Sequence, residues 1–128
     1  MSTTSGTPSP DERRPALVAA EAATEQWANV ARLQRWATPD HADFYALARE
    51  IVATLHALDD MAHVLRQQVA GYAQGRTLYD DTRAVDPQAR LTEAAVELGR
   101  LIEYVQAAQS PANRFWSAIG HVGVEVTP

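Results

Sequence analysis

Apolar residues recur at steps of three and four along residues 39–75, which is the spacing of one face of an α-helix. The sequence therefore predicts a long amphipathic helix over 39–74. Thr38 is placed to cap its start, Pro39 suits its first turn, and Gly75 suits its end. The stripe consists of Phe44, Leu47, Ile51, Leu55, Leu58, Ala62, Leu65, Val69 and Tyr72.

This helix is long for a chain of 128 residues. At about 1.5 Å per residue it spans roughly 50 Å, so its apolar stripe needs an equally long cover. Two successive four-residue steps, Leu47 to Ile51 to Leu55, are followed by heptad spacing. We therefore expect coiled-coil-like packing along the second half.

Proline residues mark the starts of three further predicted helices. The first covers 15–37, the third covers 87–109 with Asp86 as its cap, and a short fourth covers 111–119 after Ser110. Residues 1–14 are rich in Ser, Thr, Gly and Pro at their start, so we expect a disordered tail before a single domain over 15–128.

These elements predict an all-α fold. The first two helices form a long antiparallel hairpin, the third packs along it, and the short C-terminal helix closes one end. Because the second helix is much the longest, part of its stripe stays uncovered in a single copy. A homodimer that buries the excess is the economical solution. Residues 121–126 alternate like a short strand, which either docks on the bundle or pairs with another chain.

Composition narrows the possible functions. The chain has a net charge of -5, no Cys and 46% hydrophobic residues, and all of its basic residues are Arg, as is common in high-GC genes. The acidic balance argues against nucleic-acid binding, and the absence of Cys excludes disulfides and thiolate chemistry. No apolar run suggests a membrane span or a signal peptide, so we expect a cytoplasmic protein. The sequence has no Gly-rich phosphate loop, and we expect no cofactor.

A polar face of the long helix carries the residues best suited to chemistry. His56, Asp60 and His63 recur over two turns, and imidazole plus carboxylate at this spacing could hold a divalent transition metal. The alternative is an ordinary solvated face, which is favoured because bundle metal sites are built inward from several helices.

Arg49 and His56 are separated by six residues on the same helix. This spacing resembles the Arg-and-His motif of the HEPN superfamily, small all-α proteins that are often metal-independent ribonucleases assembled across a dimer interface. The resemblance implies that Arg49 stabilises a phosphate and His56 transfers protons. Glu50 departs from the pattern, since that family often has a small polar residue after the Arg.

Three aromatic residues lie at predicted helix ends: Trp36, Phe115 and Trp116. They either cap the core or remain partly exposed as a surface for a protein partner, because Trp often dominates binding energy. By contrast, Asp80, Asp81 and Asp86 are expected to be solvated or to cap a helix. The sequence thus favours a non-catalytic interaction protein whose partner is its own copy or another protein. A hydrolase or ribonuclease is the alternative.

Overall fold

The computed structural model describes residues 14–126. Over this range it contains three α-helices and no strand: α1 (Pro15–Arg35), α2 (His41–Ala70) and α3 (Pro87–Ile119). The prediction of an all-α fold is confirmed. None of the helices in this range combines the length and the apolar character that crossing a bilayer requires. The predicted tail over 1–14 lies outside the described residues except for Arg14.

The chain divides into two compact units, residues 1–39 and residues 40–128. The first unit contains α1, which begins at Pro15 and ends two residues earlier than predicted, at Arg35. The N–H groups of Trp36 and Ala37 donate to carbonyls three residues back, which closes the last turn. The predicted hairpin of α1 with α2, and the single domain over 15–128, stay predictions.

In the second unit, α2 is shorter than the predicted 39–74. Asp40 occupies the cap position in an extended conformation, and its carbonyl accepts from the N–H groups of Asp43 and Phe44 at 3.1 Å. The helix ends at Ala70 because Gly71, a poor helix former, follows it. The predicted cap Thr38 and the predicted end near Gly75 are therefore corrected.

Helix α3 continues through Pro111, so the prediction of separate helices over 87–109 and 111–119 is wrong. Proline lacks an N–H and costs about 3 kcal/mol inside a helix. The last turns pack on α2, where the rings of Tyr45 and Trp116 lie 5.8 Å apart, and this packing offsets the missing bond. The predicted Asp86 cap is confirmed, since its Oδ1 accepts from the N–H of Gln88 at 3.1 Å.

The two helices of the second unit pack together. Tyr45 near the start of α2 contacts Trp116 near the end of α3, and Asp59 in mid-helix accepts from Gln106. These pairs show that α2 and α3 run antiparallel. The four buried apolar residues in the described part of the chain are Ala48, Val52, Ala62 and Ile102.

A polar anchor holds the connection between α2 and α3. Asp80, 6% exposed, accepts from the Nε of Arg90 at 2.8 Å and from the N–H of Thr82 at 3.1 Å. The Thr82 hydroxyl donates to the same carboxylate. The bonds from Thr82 and Arg90 lower the pKa of Asp80 to about 2. The expectation that Asp80 is a solvated loop residue is therefore wrong.

Gly75 occupies the left-handed region in this connection, with a φ of 72°. A Cβ added there meets nothing within 4 Å, so Gly75→Ala introduces only backbone strain. We expect the substitution to lower the free energy of unfolding by about 1 kcal/mol in urea titrations at fixed protein concentration. Gly123→Ala is the matched control, because it also has open space and needs no positive φ. Equal midpoints for the two variants would contradict the conformational role of Gly75.

Candidate functional site

One side of the α2–α3 pair carries a continuous set of incompletely buried apolar side chains, which we name the apolar face. On α2 the stripe comprises Leu47, Ile51, Leu58 and Leu65, and on α3 it comprises Leu98, Leu101, Val105 and Phe115. Leu58 remains 51% exposed and Leu101 48% exposed. Three of the eight, Leu47, Leu98 and Val105, are half-buried at the edge of the interhelical contact, and the other five are exposed.

Both stripes point to the same side of the α2–α3 pair because each lies one residue before the positions that contact the other helix. On each helix, a residue of the stripe comes one position before a residue of the interhelical contact: Leu58 precedes Asp59, and Leu101 precedes the buried Ile102. One residue is a rotation of about 100° in a fixed sense around the helix axis. Since α2 and α3 run antiparallel, the same rotation turns both stripes to one side of the pair.

The candidate metal ligands lie on the polar face of α2, and the structure does not gather them around one point. His63 is 3.4 Å from Asp59, which accepts a hydrogen bond from Gln106 of α3, whereas His56 and Asp60 are exposed. Among residues 14–126, no three His, Asp or Glu side chains converge closely enough to hold an ion.

The catalytic candidates Arg49 and His56 share this polar face. Both side chains are exposed, and the guanidinium of Arg49 lies 3.4 Å from the carboxylate of Glu50. Glu50 thus stands beside the cation that the HEPN-like motif would use for a phosphate. The residues are on one face, as the spacing predicted, and they lie on the side of α2 opposite the Leu stripe.

The three aromatic candidates belong to two different units. Trp36 follows α1 and is 83% exposed, which makes it an open surface residue of the first unit. In the second unit Phe115 is exposed at the end of the apolar face, whereas Trp116 is half-buried against Tyr45. Phe115 and Trp116 therefore have different roles although they are neighbours in the chain.

A shallow cleft beside Tyr45 and Trp116 was not predicted from the sequence. It has a volume of about 470 Å³ and is also lined by Asn113, Ser117 and His121. The Nε1 atom of Trp116 is buried without a hydrogen-bond partner in the described part of the chain. The buried carboxylate of Asp80, by contrast, accepts hydrogen bonds from Thr82 and Arg90. Sequence spacing cannot reveal the cleft because it depends on how α2 and α3 meet.

The chain matches no known protein-family model, and comparison with curated proteins and with solved structures finds no match. Both helices of the second unit contribute exposed side chains to the apolar face.

Proposed function

We propose that the protein is a non-catalytic helical interaction protein that acts through protein–protein contacts of its apolar face, as a homodimer. The observation that carries the proposal is the row of exposed Leu and Ile side chains along one side of the α2–α3 pair. Contiguous apolar surface of this kind marks interaction sites, because water contact with it is unfavourable. Coiled-coil-like packing of the second half of α2 is part of the same proposal.

The polar face of α2 lies outside the proposed interface and takes no part in this function. Arg49 and His56 lie on the opposite side of α2 from Leu58. In a dimer formed through the apolar face, the two copies of this pair point away from each other. A ribonuclease-like site across a dimer interface would therefore need a different interface. A cytoplasmic location and the absence of nucleic-acid partners remain expectations from composition.

The test of the proposal is the solution mass of the full chain, measured by light scattering on a sizing column. We expect a dimer whose mass is unchanged by added Zn²⁺. Leu58→Glu places a charge in the apolar face and is expected to weaken dimerisation at least about a hundredfold, since burying an unpaired carboxylate costs several kcal/mol. His56→Glu, two residues away on the polar face, is the matched control and should leave the mass unchanged.

Three results would contradict the proposal. They are a parent chain that is monomeric at all concentrations, a mass that rises only with Zn²⁺, and a loss of dimer in His56→Glu but not in Leu58→Glu. The second result would support the metal site at His56, Asp60 and His63. Circular dichroism of each variant verifies that the helices are retained.

A further inference from the structure

We propose that two copies of the second unit pack face to face as a four-helix bundle in which α2 pairs antiparallel with α2 of the second copy and α3 with α3. The two-fold axis passes by Leu58 on α2 and between Gln106 and Ala107 on α3. This inference rests on the proposed homodimer and specifies its geometry. Two observations support it. The apolar residues of each helix are arranged symmetrically about a central position, and the contacts between α2 and α3 bring these two central positions side by side.

The apolar positions of α2 are palindromic about Leu58. Counting outward from Leu58, apolar side chains occur at 3, 7 and 11 residues in both directions. The pairs so defined are Leu55 with Met61, Ile51 with Leu65, and Leu47 with Val69. In an antiparallel pair related by a two-fold axis, residues equidistant from the axis form one layer. The pattern of α2 therefore places apolar residues of both copies in the layers at 3, 7 and 11 residues from Leu58.

The stripe of α3 has the same property about a point between Gln106 and Ala107. Its symmetric pairs, each with residue numbers summing to 213, are Val105 with Ala108, Leu101 with Ala112, Leu98 with Phe115, and Ala94 with Ile119. All eight side chains are apolar. Larger residues of one half meet smaller residues of the other half in most layers, which suits close packing of two helices.

The centre of symmetry on α2 and the centre of symmetry on α3 lie at the same height along the α2–α3 pair. Asp59 of α2 bonds to Gln106 of α3, and an added Cβ at Gly99 would lie 3.5 Å from the guanidinium carbon of Arg66. Both pairs of numbers sum to 165, so Leu58 stands opposite residue 107. One axis can therefore pass through the centres of both stripes. Two independent patterns thus indicate the same axis.

The exposed area fits a dimer of ordinary size. Five side chains of the stripes, together with Met61 from the symmetric set about Leu58, are 40–51% exposed: Ile51, Leu58, Leu65, Leu101, Phe115 and Met61. At on the order of 80 Å² each they offer about 500 Å² of apolar surface per copy. A standard interface buries roughly 800 Å² per partner, somewhat more than half of it apolar.

The charges beside the stripe favour the antiparallel arrangement. On the flank of α2 that faces away from α3, the charged residues are Asp43 and Glu50, both in its first third. Antiparallel pairing brings Glu50 to within two residues of the level of the neutral Gln68, which lies on the same flank of the second copy. Parallel pairing would bring each Glu50 beside its own copy, and opposed like charges are unfavourable.

The experiment uses single-cysteine variants of the full chain, which has no native Cys. Two packed helices are 8–10 Å apart and their Cα atoms lie about 2.3 Å from each axis, so Leu58 and its copy would have Cα atoms about 5 Å apart. This distance permits a disulfide. We expect Leu58→Cys to form a covalent dimer on mild oxidation, read on non-reducing gels, while His56→Cys gives only the collisional background.

A second pair of variants tests the register even if Leu58→Cys destabilises the dimer. Ile51→Cys alone should not cross-link, because the two copies of residue 51 would be 14 residues apart along the helix, about 21 Å. A mixture of Ile51→Cys and Leu65→Cys, refolded together from urea, should form the mixed disulfide. Mass spectrometry of the linked peptides identifies it.

The outcomes separate this geometry from the function on which it rests. Cross-linking at Leu58 together with the mixed Ile51 and Leu65 disulfide supports the proposal. Efficient self-cross-linking of Ile51→Cys indicates a parallel pair and overturns it. A dimer that Leu58→Glu dissociates, but that forms neither disulfide, overturns the antiparallel register and leaves the proposed function standing. A monomeric parent chain overturns both.

Discussion

Replacing Ile102 with Ala is expected to lower the free energy of unfolding by about 2–4 kcal/mol. Ile102 is the buried apolar residue that α3 contributes to the contact with α2, and it is 5% exposed. The other buried apolar residues in the described part of the chain are Ala48, Val52 and Ala62, so Ile102 is the largest buried side chain and its truncation removes the most buried volume. The measurement is urea unfolding followed by circular dichroism at fixed protein concentration.

Val96→Ala on the same helix is the matched control. Val96 is 49% exposed and lies outside the apolar face, so its truncation should change the free energy of unfolding by less than about 0.5 kcal/mol. If the two variants unfolded at the same urea concentration, the contact between α2 and α3 would not be the source of stability that the structure indicates.

Replacing Asp80 with Asn is expected to lower the thermal midpoint at pH 7 by several degrees. The buried carboxylate accepts hydrogen bonds from Thr82 and Arg90. The Asn amide keeps only one acceptor oxygen, and its NH₂ group would point at the N–H donors of Thr82 or Arg90. Arg90 then keeps only the carboxylate of Glu93, 3.7 Å away, and the connection between α2 and α3 loses its anchor. Asp81→Asn, one residue away and exposed, is the matched control and should have little effect.

The same substitution predicts a change in pH dependence. The pKa of Asp80 is lowered from 3.8 to about 2 in the folded chain, so between these values the unfolded chain binds more protons. The contribution of Asp80 to stability is therefore complete above about pH 4 and is lost as the pH falls through 2. The difference in thermal midpoint between the parent chain and Asp80→Asn should shrink over this interval. A difference that is constant from pH 7 to pH 2 would exclude the ionised carboxylate as its cause.

The sequence predicted part of the candidate site. The stripe of α2 and the excess of apolar residues on it are visible from spacing alone, and so is the placement of Arg49 and His56 on another face. The contribution of α3 to the same surface was not predicted. It depends on the rotation of α3 about its own axis, which only the packed helices reveal.

The limits of each helix show a similar division. Asp86 and Pro87 start α3 through a local hydrogen bond and a preset φ, so the sequence alone locates this start. Pro111 gives the same local signal and yet no boundary forms there. The local preference for a break is about 3 kcal/mol, and contacts of the following turns with α2 outweigh it.

What the sequence determined by itself is therefore what adjacent residues decide among themselves: helical structure in the segments that form α1, α2 and α3, the apolar stripe of α2 and the capped start of α3. The tertiary structure alone decided the continuity of α3, the burial of Asp80 against Arg90 ten residues away, and the common orientation of the two stripes. Each of these depends on groups that are distant in the chain, and their free energies appear only once α2 and α3 are packed together.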